Sequence, residues 1–184
     1  MRERYTDGAL TEPSWRDDFK LYARIEFEQH DDLITSHLKS AREWFERHTG
    51  IVTAQRTITL TLDKFPHGVI ELKHVPASSV TSVGYVDENG DSQTWLASKY
   101  VVDIGDATHF ARIMPEDSEF YPATDDGLAD VTVTYVAGYS DITTMPRRFR
   151  DTIFSYAEDL YNGMPGPSEK TQAFLSGCGG WQYA

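Results

Sequence analysis

The spacing of apolar residues changes along the chain, and each change marks a different kind of element. Leu33, Ile34, Leu38, Ala41, Trp44 and Phe45 recur at intervals of three and four, the period of a helix with one buried face. Asp31 stands where it can cap that helix, and Asp31 and Asp32 suit the positive end of its dipole. Lys39 and Glu43 add an i,i+4 pair, and Gly50 ends the run. A shorter helix precedes it, starting near Ser14 with Asp17 three places on as a weak capping box. Phe19, Tyr22, Ala23 and Ile25 form its apolar side.

Beyond Gly50 the period falls to two. In QRTITLTLDKF, Ile58, Leu60 and Leu62 face one side and Thr57, Thr59 and Thr61 the other, which is a strand. The threonine face is either wet or set against another subunit. VIELKHV is a second strand, ended by Pro76. SVTSVGYVDENGDSQTWL is a hairpin turning at Asn89–Gly90. SKYVVDI and FARIMP are two further short strands, and ADVTVTYVAGYS is the last, closed by Gly138. No helix separates these strands, so a doubly wound α/β fold is not expected.

The helical period returns after Pro146 with Phe149, Ile153, Phe154, Ala157, Leu160 and Tyr161. Arg147, Arg148 and Arg150 crowd its first turn, against the dipole. They are either a solvated flank or a contact to an acidic partner, for which the rigid guanidinium fork is suited. After Gly163, glycine, proline and serine dominate and no helix of useful length is expected. Phe174, Leu175, Trp181 and Tyr183 nevertheless stand in this stretch. They either fold back on their own domain or serve as anchors on a neighbour.

The fold class that follows is α+β. A helical body of two N-terminal helices and one C-terminal helix carries an inserted, mainly antiparallel β-sheet and an extended C-terminal tail. Residues 1–50 and 146–162 form the body, 51–145 the β region and 163–184 the tail.

Composition narrows the function. The 184 residues are 40% apolar and 25% charged, and no apolar run is long enough to span a membrane. The opening MRERYTDGALTEPSW has no apolar core and is not read as a signal peptide. The net charge of −12 disfavours gripping duplex DNA. Between 51 and 145, fourteen acidic residues face five basic ones. Asp125, Asp126 and Asp130 cluster there, as do Glu116, Asp117 and Glu119. Such clusters are solvated loops, a passage that DNA does not stick to, or a face toward a basic partner.

The usual catalytic constellations are missing. The six histidines share no ligand spacing, and His67 and His74 only flank a strand. DENGDSQTW lacks the glutamate a calcium loop needs, with Ser98 in its place. Cys178 has no base or cation in its local sequence to activate it. Neither a GxSxG elbow, a P-loop nor a dinucleotide fingerprint occurs. No catalytic, cofactor-binding or metal residue is assigned. A hydrolase would have to rely on His67 or His74 with a nearby aspartate. A binding module, the alternative from a different class, would present Tyr85, Trp95 and Tyr100 on the sheet to a protein or carbohydrate.

The order of pieces resembles a known family. A helix pair ending SAREWFERHTG precedes RTITLTLDKFP, then SSVTSVGYVDENGDSQTWLASKYVVD, then VTVTYVAGYS, then a helix opening at Met145–Pro146. Over about residues 15–162 this is similar to the gp6-like head-tail connectors, or adaptors, of tailed phages and gene transfer agents. The resemblance implies a structural protein of the virion neck. It implies a ring of about twelve copies, closed by a head-to-tail interface, between the portal and the stopper or tail-completion proteins. DNA would pass through the channel without sequence-specific binding. The helices would form the ring and residues 163–184 would reach the portal, although GCGGWQYA matches no family pattern. Deleting 164–184 is then expected to leave the fold intact and to weaken portal docking.

Overall fold

The computed structural model describes residues 2–6, 14–106, 109–125 and 127–178. Two compact units divide the chain: residues 1–10 with 55–138, and residues 11–54 with 139–184.

The first unit is built of strands, and every strand pairing in it is antiparallel. Its larger sheet has the order β1–β2–β8–β4–β5, and the smaller has β3–β7–β6. The strands are β1 (Arg2–Tyr5), β2 (Arg56–Leu62), β3 (Ile70–Leu72), β4 (Ala77–Val86), β5 (Ser92–Trp95), β6 (Tyr100–Asp103), β7 (Ala111–Pro115) and β8 (Val131–Ala137). Strict alternation makes β2 and β8 the centre. Ile58 faces Tyr135 and Leu60 faces Val133, all fully buried. On the opposite face Thr59 meets Thr134 and Thr61 meets Thr132, and β1 extends these rows with Arg4 and Arg2. The threonines keep partial exposure. One alternating strand pair thus makes both a dry core face and a polar outer face.

β1 corrects the expectation that residues 1–50 are helical outside their connections. RERY has no apolar alternation, and it is held instead by a buried polar cluster. Tyr135 donates its hydroxyl to Glu3 Oε1 at 2.9 Å, and the Lys73 N–H donates to the same oxygen at 3.3 Å. His74 Nδ1 lies 3.2 Å from Glu3 Oε2. Arg56 caps the Tyr5 ring at 3.6 Å. Burial works to raise the Glu3 pKa. His74, Tyr135 and Lys73 outweigh it and hold the carboxyl below its usual range.

A lowered folded-state pKa contributes stability above the unfolded value and loses it as pH falls through the folded value. The protection of the β1–β2 amides against hydrogen exchange, taken relative to the intrinsic rate at each pH, should therefore fall on acidification. Glu3→Gln should remove that acid-range dependence. An unchanged pH profile in Glu3→Gln would contradict this assignment.

The hairpin forms where Asn89–Gly90 predicts it. Asp87 Oδ1 accepts the N–H groups of Asn89 and Asp91 at 2.9 and 3.1 Å, and Gly90 takes the positive φ of 82° that the turn demands. These backbone donors, Asp91 first, hold the Asp87 pKa below the usual range.

The second unit is helical: α1 (Arg16–Ala23), α2 (Asp31–Thr49), α3 (Arg147–Tyr161) and α4 (Glu169–Ser176). α2 and α3 run antiparallel. Phe45 meets Phe149 at 5.6 Å near one end, and His30 bonds Tyr161 at 2.8 Å near the other. Ile34, Leu38, Ala41, Phe45, Ile153 and Ala157 fill the seam. Phe19 and Trp15 set their ring edges against Phe154.

Some capping details differ from expectation. Asp31 is the first helical residue, after His30. Its carboxylate pairs with Lys20 at 2.7 Å instead of capping the helix. α1 begins at Arg16 without a side-chain cap. The i,i+4 pair of α2 is Arg42–Glu46, not Lys39–Glu43.

The stretch 163–184 is not extended throughout. Ser168 caps α4 by accepting from the Thr171 N–H. Thr171 is fully buried, within 2.6 Å of Asp159 and 2.7 Å of Ser155 on α3. Asp159 also accepts the Ser168 N–H at 2.8 Å. A short helix among glycines and prolines is thereby fixed by three polar side chains.

Candidate assembly surfaces

The residues expected to meet partners fall into three groups. At the start of α3, Arg150 is used at home: it pairs with Asp18 at 3.3 Å and lies 5.7 Å from the Phe154 ring centre. Arg147 is highly exposed and makes a long i,i+4 contact to Asp151, 3.5 Å. Arg148 is exposed and makes no ion pair among the described residues; its guanidinium lies 5.1 Å from the Phe149 ring centre. Arg147 and Arg148 are thus available to an acidic neighbour, and Arg150 is a positioning contact between α3 and α1.

On α4, Phe174 is 40% exposed and Leu175 half-buried. They leave an apolar strip on the helix that Thr171 pins to α3. Trp181 and Tyr183 lie outside the described residues.

Cys178 closes this segment. It is buried, with Sγ 3.3 Å from the Thr152 hydroxyl and 3.2 Å from the Phe174 carbonyl. Burial pushes its thiol pKa up, against the Thr152 hydrogen bond and the Arg148 charge. Such a thiol packs as a small apolar group.

This geometry revises the truncation expected from the sequence. Removing 164–184 would strip α4 from Ser155 and Asp159 and Cys178 from Thr152. Asp159→Ala orphans the Ser168 N–H and one Thr171 bond. It should cost about 1–3 kcal/mol in urea denaturation, read from the transition midpoint.

In the strand unit two of the three aromatic residues proposed for a ligand platform are interior. Trp95 is 6% exposed and Tyr100 9%. Trp95 contacts Tyr100, Tyr121 and Phe65 at ring distances of 4.9, 5.4 and 5.5 Å, and Phe65 stacks on Tyr121 at 4.9 Å. Tyr121 donates its hydroxyl to the Gly68 carbonyl at 2.7 Å. Tyr85 joins through Phe65 and is half-buried. Trp95 and Tyr100 are packed inside this cluster, so the expected open platform of three rings does not form.

His74 does have a carboxylate within reach, at Glu3. That carboxylate is engaged by a buried tyrosine and a backbone N–H, and among the described residues no serine, threonine or cysteine bonds it. The arrangement latches a strand. A pocket of about 360 Å³ lies near Leu62, Pro66 and Val69, and one of about 280 Å³ near Trp15, Leu38 and Arg42. Both sit at the small end for ligand sites.

The fold can now be compared with known proteins. Residues 17–83 match the family model of phage gp6-like head-tail connector proteins. The resemblance read from the order of helices and strands is therefore found independently over α1, α2 and the first strands. No curated protein matches the chain. Among solved structures, a chain in the virion of a native gene transfer agent particle superposes with a TM-score of 0.80 at 18% identity. A chain in the neck of an empty particle, computed with C6 symmetry, gives 0.78 at 18%, and one in the neck of a native particle, computed with C12 symmetry, gives 0.78 at 17%. Each comparison covers 100% of this chain and 98% of the other. The likeness in fold to these chains extends beyond the matched segment to the hairpin, β8, α3 and α4.

Proposed function

We propose that this protein is a structural, non-enzymatic subunit of the neck of a tailed particle, an adaptor between head and tail. The observation that carries the reading is the agreement of two comparisons. A segment spanning helices and strands matches the connector model, and the whole chain superposes on chains from gene transfer agent necks.

In this reading the copies form a ring of about twelve, since a head-to-tail contact repeats until its rotation closes. One side of the ring docks on the portal and the other on a stopper or tail-completion protein. Arg147 and Arg148 meet an acidic surface, and the Phe174–Leu175 strip with Trp181 and Tyr183 engages the portal. The strand unit carries fifteen acidic and seven basic residues over 1–10 and 55–138, a net charge of −8. Along the DNA path such a surface offers few phosphate contacts and lets the duplex slide.

Particles made without this chain should accumulate filled heads and free tails that do not join. Joined, infectious or transfer-competent particles lacking it would overturn the reading.

A further inference from the structure

The larger sheet ends in two edges of different character. β1 lies at one edge and β5 at the other, with β2, β8 and β4 between them. Exposed strand edges invite pairing with another chain, and proteins protect them with charge. Here the β1 edge strand carries basic residues, and the turn that leads into the β5 edge strand carries acidic ones. Arg2 and Arg4 are exposed on β1, and neither makes an ion pair among the described residues. Glu88 and Asp91 are exposed in the β4–β5 turn, and their carboxylates likewise make none. Asp87 beside them is different, since its carboxylate is consumed by the turn and by Gln93 at 3.0 Å. β5 itself continues with exposed, uncharged Ser92, Gln93 and Thr94.

Some surface cations are matched within the copy, whereas Arg148, like Arg2 and Arg4, makes no ion pair among the described residues. Lys20, Lys99, Arg112, Arg150 and Lys170 all have carboxylate partners. Two unlike, complementary patches at opposite edges of one sheet are what a head-to-tail contact requires. A contact of each patch with its own kind would set arginine against arginine, or acid against acid.

We propose that the β1 edge of one copy docks on the β4–β5 hairpin of the next copy, with Arg2 and Arg4 facing Glu88 and Asp91. This rests on the ring reading above and names the surface that joins its subunits. Both patches lie outside the segment matched by the connector model.

The test uses the full chain with the portal ring present as a nucleus, read by mass photometry and negative-stain imaging. The variant Arg2→Glu/Arg4→Glu repels its own hairpin, and Glu88→Arg/Asp91→Arg repels its own β1. Each alone should lower the ring population about tenfold or more, as like charges across an interface do. An equimolar mixture should restore rings, because alternating copies then place opposite charges at every contact.

Rescue in the mixture also shows that both variants fold. The proposal is overturned if either variant forms rings as wild type does, or if folded variants fail to rescue one another. Should a double variant not fold, Arg4→Gln and Asp91→Asn replace it. A graded loss of rings is then expected, and unchanged rings overturn the contact. Wild-type protein that forms no ring with the portal would instead overturn the neck reading itself, and this contact with it.

Discussion

Glu46→Ala is expected to destabilise the helical unit by about 3–5 kcal/mol, because it breaks a buried ion pair and leaves the other charge behind. Glu46 Oε2 accepts from Arg42 Nη1 at 2.7 Å, with the two side chains only 7% and 3% exposed. Its other oxygen accepts the Thr53 N–H at 2.9 Å and the Thr53 hydroxyl at 2.6 Å. One carboxylate therefore ties the last turns of α2 to the chain that follows Gly50. Replacement by alanine removes the 2.7 Å partner of Arg42, whose next printed carboxylate, Glu43, is 3.6 Å away, and orphans the Thr53 donors. Glu46→Gln keeps an acceptor for Thr53 and should cost less than Glu46→Ala. The midpoint of urea denaturation checks both. Equal, small losses in the two variants would show that the pair is not a fixed part of the unit.

Trp95→Ala carries the second large effect. Burying Trp95 among Phe65, Tyr100 and Tyr121 fills the interior of the strand unit. Truncating a buried tryptophan leaves a cavity costing about 3–5 kcal/mol. The prediction separates two readings of the same residue. A core tryptophan loses stability when truncated, whereas an exposed platform loses ligand binding with little change in melting. Differential scanning calorimetry of Trp95→Ala against wild type decides it, and an unchanged melting temperature would favour the platform.

What the sequence made legible has a physical pattern. α2 was readable because nineteen residues hold one apolar stripe. β2 and β8 were readable because their alternation is strict and both bury the same face. The hairpin was readable because Asn89–Gly90 satisfies a local backbone demand. β1 was not, because its stability is not local: Glu3 finds its hydroxyl donor on Tyr135, far along the chain. α4 was not, because Glu169–Ser176 is short and weakly amphipathic, and its main anchor, Thr171, is polar. The division of the strands into two sheets depends on which β-segments pair, and alternation alone does not encode that.

The candidate surfaces show the same limit. The arginine cluster was visible as a cluster, but charge spacing does not reveal that Arg150 is committed to Asp18 while Arg148 makes no ion pair among the described residues. The unmatched arginines of β1 and carboxylates of the β4–β5 turn were invisible until the strand order placed them at opposite edges of one sheet.

The central claim is that this chain is a ring-forming neck component, and electron microscopy of the purified protein mixed with its portal tests it most directly. The expected result is a ring of about twelve copies seated on the portal, coaxial with its channel. A protein that stays monomeric and leaves the portal bare would contradict it.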